Sequence, residues 1–285
     1  MNGSDLHAPE EVFAYARDLE ALGDHRRAAT EYGRYVSAAK RTPEQEFPRL
    51  EEGMYRLAMN LAQAKETDAA LRAFADLGAV FPRSRYIPRA LFRMGQIYEQ
   101  EGAVGEAKQR YHHLVAMGMD TELSALSRLR LAWLALGKPG EEALARQHLQ
   151  GVKHPRYAEQ AKGMLHEVDA LPDLPYKDPW VAGSMTAVLP GAGHLYLDRP
   201  KDAGLALLSN ALLITGSVQA FSKGISGLGA LLAVLEAGWY SGTVFSAVSL
   251  AHKHNQRLRD DRVNGMGMFL KPDVKAVGVE MEWQY

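Results

Sequence analysis

Three stretches of this chain are copies of one another: residues 11–36, 52–82 and 89–114 superpose without gaps. Each copy carries large apolar residues at i, i+3 and i+7 with a small residue beside the second: Val12, Tyr15, Ala16, Leu19; Met54, Leu57, Ala58, Leu61; Leu91, Met94, Gly95, Tyr98. A turn residue follows (Gly23, Lys65, Gly102), then a small residue (Ala28, Ala70, Ala107), an aromatic (Tyr32, Phe74, Tyr111) and a bulky side chain (Tyr35, Leu77, Leu114). These spacings predict two amphipathic helices per copy. A helix pair cannot bury its apolar face alone, so successive copies must stack.

The pattern resembles the tetratricopeptide repeat, over roughly residues 10–150. A fourth, degenerate copy spans 122–149; it keeps Leu126, Leu129, Trp133 and Gly137 but has Arg130 where a small residue is expected. A helix near Pro155–Ala170 is expected to cap the array. The interval is 42 residues from Ala28 to Ala70 and 37 from Ala70 to Ala107, against the 34 of the usual repeat. The excess lies in proline-containing connectors, which resemble those of bacterial envelope proteins. The resemblance implies a groove for a protein partner, formed by Glu52, Tyr55 and Met59 of the second copy and Arg89, Phe92, Gln96 and Glu99 of the third.

The remainder of the chain obeys another rule. Between Ala203 and Ala251 only Lys223 and Glu236 carry a formal charge. Ala203–Phe221 has none over 19 residues, about 28 Å as a helix, against a hydrocarbon layer of about 30 Å. Residues 225–251 form a second such run, so an antiparallel transmembrane hairpin is expected. Trp180–Leu197 is a third apolar segment, interrupted at Pro190-Gly191. The prediction is therefore all-α: a solenoid over 1–172, a proline-rich linker over 173–179, a membrane module over 180–256 and a polar tail over 257–285. In the tail, Val277 to Tyr285 alternate apolar and polar residues, which predicts a short β-hairpin together with "GMGMFL".

The run "PGAGHLYLDRPKDAG" resembles a signature of small modules related to the two-transmembrane-span domain family, with Asp198 where glycine is more usual. Within the module, Asn210 and Glu236 lie at similar counts from the hairpin centre, which predicts a hydrogen bond between the two helices. Gly238 and Gly242 form a small face that admits another helix, including one from a second copy of the chain. His194 follows the helix break, where it lines a polar cavity or satisfies freed carbonyls, or sits with Tyr196 at the interface.

Several classes fall away. A net charge of −1 gives no general attraction to nucleic acid. There is no cysteine for disulfide or thiolate chemistry. No phosphate loop, nucleophile elbow or HExxH motif occurs, and His252 and His254, two apart on a helix, face different ways. No enzyme, cofactor or metal is expected. The reading is a membrane-anchored interaction scaffold in bacterial envelope assembly or membrane-protein biogenesis; a membrane enzyme or small transporter with accessory repeats is the alternative. Basic residues Arg199, Lys201, Lys253, Arg257, Arg259 and Arg262 are expected on the cytoplasmic side of an inner membrane. The repeats are then periplasmic if Trp180–Leu197 crosses, the favoured reading, and cytoplasmic if it is re-entrant. The first residues show no leader pattern, which favours the cytoplasmic reading unless a leader is missing.

Overall fold

The computed structural model describes residues 8–41, 47–118 and 121–270. Among these every regular element is helical. The chain divides into two compact units, one reaching Leu165 and one formed by His166–Met268.

In the N-terminal unit the helices are α1 (Pro9–Ala21), α2 (His25–Arg41), α3 (Leu50–Gln63), α4 (Thr67–Val80), α5 (Ile87–Gln100), α6 (Val104–Ala116), α7 (Glu122–Leu136), α8 (Glu142–Gln150) and α9 (Pro155–Asp169). Each of the four pairs α1–α2 to α7–α8 turns through a left-handed residue: Gly23, Lys65, Gly102 and Gly140. The small residue after each turn, Ala28, Ala70, Ala107 and Ala145, is fully buried, so the two helices of a pair approach closely there. Tyr32, Phe74 and Tyr111 are buried one turn later, as their shared spacing predicts. Phe13 meets both Tyr32 and Tyr35 edge-on, at 5.4 and 5.3 Å. Tyr15 departs from the pattern and is exposed. Its hydroxyl accepts from the Arg27 guanidinium at 2.9 Å.

The fourth repeat is less degenerate than its sequence suggests. Ala145 occupies the buried small position, and the extra residue of "GKPG" is taken up at Gly140. Arg130 is not a packing defect, because its guanidinium pairs with Glu99 of the preceding repeat at 3.2 Å.

The C-terminal unit is built by α10 (Pro179–Val188), α11 (Ala192–Tyr196), α12 (Pro200–Ser222) and α13 (Ser226–Gly265). The third apolar segment is thus two short helices. Asp178 caps α10 by accepting from the Trp180 and Val181 amides, and the break falls at Pro190-Gly191, where Gly191 is left-handed. At ten residues α10 is about 15 Å long, too short to cross a bilayer. Its entry and the exit of α11 lie side by side: the Asp178 amide donates to Tyr196 Oη (3.0 Å) and Lys177 Nζ to the Tyr196 carbonyl (2.9 Å). Asp198 adopts a left-handed conformation, so the tight turn survives the replacement of glycine.

The packing of α12 on α13 inverts that of the solenoid. Ala203, Ala206, Asn210, Ser217 and Ala220 are the buried residues of α12, whereas Leu205, Leu208, Leu212 and Val218 are each at least 60 % exposed. In α13 the buried residues include Gly229, Thr243, Ala247 and Ala251, while Val234 and Phe245 are more than 70 % exposed. Small and polar side chains therefore face inward and large apolar ones outward. Residues 266–270 form a 3-10 turn, so the first arm of the expected β-hairpin is helical. The second arm, 277–285, lies outside the described residues.

Candidate partner-binding site

The second repeat supplies a ledge of aromatic and basic groups. Tyr55, on α3, is half-buried and its ring stacks on Tyr86 at 4.5 Å and 15°. Arg85 lies over the other ring, 4.9 Å from the Tyr86 centroid, and donates to Tyr86 Oη at 2.8 Å. Burial raises the Tyr55 phenol above its ordinary range, with the nearby Arg89 guanidinium opposing that shift. Met59 is half-buried and Arg89 exposed. Glu52 accepts from Arg56 at 2.7 Å, and Arg56 also reaches Glu20 at 2.8 Å.

The third repeat does not continue this surface. Phe92 and Gln96 are buried, at 4 and 3 % exposure, because α5 is enclosed along the whole of Ala90–Ile97. Phe92 packs against Tyr111 at 5.7 Å. Both residues therefore lie in the interior, where the sequence expectation had them lining the groove. The apolar stripe of α5 is wider than its repeat positions imply, since α7 packs on α5 as well as on α6.

Glu99 is likewise engaged. It accepts from Tyr111 Oη (3.1 Å) and from Arg130. The same Tyr–Glu–Arg arrangement joins the first two repeats, where Glu20 accepts from Tyr32 Oη (2.8 Å) and from Arg56. Burial raises the Glu99 carboxyl, and the Arg130 charge and the Tyr111 hydrogen bond act against it. Both triads join neighbouring repeats, and in the buried Tyr111–Glu99–Arg130 set the loss of one partner would leave an uncompensated charge. Further along, burial together with the charges of His112 and nearby bases pushes His148 down to about 4.

One feature of the site escaped the repeat alignment. The connector "FPRSRYIPR" borders a cleft of about 860 Å³, closed on its far side by Met117 and Thr121–Leu123. Arg83, Arg85 and Arg89 all line it. Its signal in the sequence was three arginines at odd spacing among prolines, which repeat geometry alone treats as a spacer.

In the C-terminal unit, the predicted Asn210–Glu236 bond is absent. Asn210 Nδ2 donates to the Ala206 carbonyl (2.6 Å) and lies 3.5 Å from Thr243 Oγ1. Side chains lean toward the N-terminus of their own helix. In an antiparallel hairpin Asn210 consequently leans away from the turn and Thr243 toward it, so they meet two turns beyond Glu236. His194 is buried, with Nε2 3.4 Å from Ser246 Oγ and Nδ1 unpartnered. Tyr196 holds the linker through its hydroxyl and lies 5.0 Å beneath Lys177 Nζ. Gly238 and Gly242 have no neighbour within 4 Å of where a Cβ would stand. Rather than receiving another helix of this chain, they line an open groove of about 580 Å³ together with His194. Glu236 lines a different groove from His194.

Comparison with known proteins bears on the N-terminal unit. A family model described as a tetratricopeptide repeat-like domain matches residues 19–165. A crystal structure described as nearly identical TPR-like repeats of a Podosopora anserina kinesin light chain matches at 20 % identity, covering 59 % of this chain and 94 % of that one, with a TM-score of 0.43. A second crystal structure of the same repeats, carrying one substitution, matches at 19 % identity over 74 % and 95 %, with a TM-score of 0.41. No curated protein matches the sequence. The family model spans just over half of the chain, from the last turn of α1 through α8 and into α9. The chain belongs to the tetratricopeptide repeat-like family.

Proposed function

We propose that this protein is a membrane-anchored scaffold, in which the repeats recruit a protein partner and α12 and α13 hold them at a bilayer, in envelope assembly or membrane-protein biogenesis. One observation carries the anchoring: both long helices turn their large apolar side chains outward and their small and polar ones inward. In water, large apolar side chains exposed along two whole helices would form a contiguous patch of the kind a soluble monomer rarely shows. In lipid it is the expected arrangement, since association there relies on close packing of small residues and on hydrogen bonds. The two helices satisfy the length and composition of membrane spans, with 22 and 11 % of their apolar windows buried.

The re-entrant form of α10–α11 favours the cytoplasmic alternative for the repeats. Lys177, Tyr196 and Asn255 are joined by hydrogen bonds. The linker, the end of α11 and the far part of α13 then share one side, together with the basic residues that mark the cytoplasmic face.

For the partner, the Tyr55–Tyr86–Arg85 stack beside Arg89 suits an extended acidic segment with an apolar or aromatic side chain, because arginine and aromatic groups dominate binding hot spots. The expected result is that Tyr55→Ala combined with Arg89→Ala in the full chain weakens capture of its specific partner by about tenfold or more. The measurement is quantitative affinity capture against wild type, with Leu22→Ala, an exposed position at the end of α1, as control. Equal recovery of every captured protein would remove this surface from the function.

A further inference from the structure

Glu236 lines a groove of about 510 Å³ between α12 and α13. Both of its oxygens are buried and neither has a hydrogen-bond partner. The hydroxyls that line the groove are already committed. Ser217 Oγ donates to the Gly229 carbonyl (2.9 Å), Tyr240 Oη to the Ala187 carbonyl (2.7 Å) and Ser241 Oγ to the Ala237 carbonyl (2.7 Å). Nothing within the groove can therefore donate to the acid.

Its depth makes this costly. Glu236 lies ten residues along α13 from Ser226, about 15 Å, the middle of a hydrocarbon layer of about 30 Å. An acid left without a partner at that depth is expensive and calls for a hydrogen-bonding group from elsewhere. Beside it, Ala233, Ala237 and Ser241 recur every fourth residue and are all exposed. Small residues at that spacing let the backbone of another helix come close. The stem of Glu236 is only half-buried, so rotation about its side-chain torsions can swing the carboxyl into the groove.

We propose that the groove receives a second copy of this chain, packed about a two-fold axis with its Glu236 against the first. Identical chains in one membrane insert in the same orientation, so a two-fold axis along the membrane normal brings Glu236 to the depth of its counterpart without further adjustment. As neutral acids the two carboxyls satisfy each other: each donates its O–H to the carbonyl oxygen of the other. Ala237 on both copies allows the backbones to approach. The inference rests on the membrane reading above.

The test uses the full chain labelled at one introduced cysteine, Gln150→Cys, in a protein that otherwise has none. Donor- and acceptor-labelled protein is reconstituted into phosphatidylcholine–phosphatidylglycerol vesicles, floated on a density gradient, and energy transfer is followed as lipid is added. Protein that fails to float contradicts the membrane reading itself. Among floating samples, wild type should show transfer that falls with dilution. Glu236→Ala and Ala237→Ile should each weaken association by about tenfold. Glu236→Gln, whose carboxamide can form the same reciprocal pair, and Val234→Ala, on another face, should stay within about threefold of wild type. Floating protein with no dilution-dependent transfer, or with equal transfer in wild type and Glu236→Ala, would overturn the proposal.

Discussion

Gly193→Ala should destabilise the C-terminal unit by about 4 kcal/mol, the largest effect expected of a methyl group added at any of the described glycines. A Cβ at that position would overlap the backbone carbonyl oxygen of Ala182 and the hydroxyl of Thr186. Neither obstacle can move cheaply. The carbonyl belongs to α10, and the Thr186 hydroxyl is held between two backbone groups, donating to that carbonyl (2.9 Å) and accepting from the Gly193 amide (3.1 Å). To admit the methyl, α11 must separate from α10 and give up this buried bridge. The loss would extend to the small-residue contact of α10 with α13, where Gly183 packs against Val248 and Ala182 is fully buried. Unfolding by sodium dodecyl sulfate from mild detergent, followed by Trp180 and Trp239 fluorescence, should shift to markedly lower denaturant. Ser184→Ala, an exposed neighbour, should leave the transition in place. A Gly193→Ala transition that coincides with wild type would show that α11 does not pack on α10 as described.

The second large effect lies in the solenoid. Gly95→Val should cost the N-terminal unit about 3 kcal/mol, since overfilling a packed core typically costs about 1–3 kcal/mol and valine's branched side chain is stiff in a helix. Gly95 holds the small position shared with Ala16 and Ala58, but here even a Cβ would lie 2.5 Å from Tyr111 Cε1. The Tyr111 ring is fully buried and its hydroxyl is bound to Glu99, so it cannot swing aside without breaking the Tyr111–Glu99–Arg130 triad. Thermal unfolding of the repeats by circular dichroism should begin at lower temperature, whereas Gly105→Ala, in open space on α6, should leave the midpoint unchanged or raise it slightly. An unshifted midpoint for Gly95→Val would contradict the close α5–α6 contact.

These two glycines illustrate what the sequence conveys. Gly95 was legible as a small residue because two other copies have alanine at the same place. Gly193 was legible only as part of a motif, and the reason for it, a hydroxyl bridging two short helices, emerges from the fold. Helix pairs and their turns followed from spacing, since a repeated pattern samples the same geometry several times. The candidate groove was harder to read. Arg89 is exposed and Tyr55 half-buried, but Phe92 and Gln96 are enclosed, Phe92 against Tyr111 of α6; repeat positions give the spacing of a stripe and not how much of the helix its neighbours cover. The arginine-lined cleft went unread for the converse reason, lying in a connector to which the repeat assigns no role. In the apolar helices, counting residues gave depth along the axis but not the direction in which side chains lean, which is why Asn210 meets Thr243. The opening of Gly238 and Gly242 to a groove has the same origin, because a small face in a sequence does not say which side of the helix is covered.

Alkaline carbonate extraction of membranes from cells expressing the full chain tests the central claim most directly. Two helices that turn leucine, valine and phenylalanine outward should keep the protein in the pelleted bilayer after the wash and release it only with detergent. Release of the full chain into the carbonate supernatant, soluble and monodisperse without detergent, would mean that water rather than lipid surrounds α12 and α13.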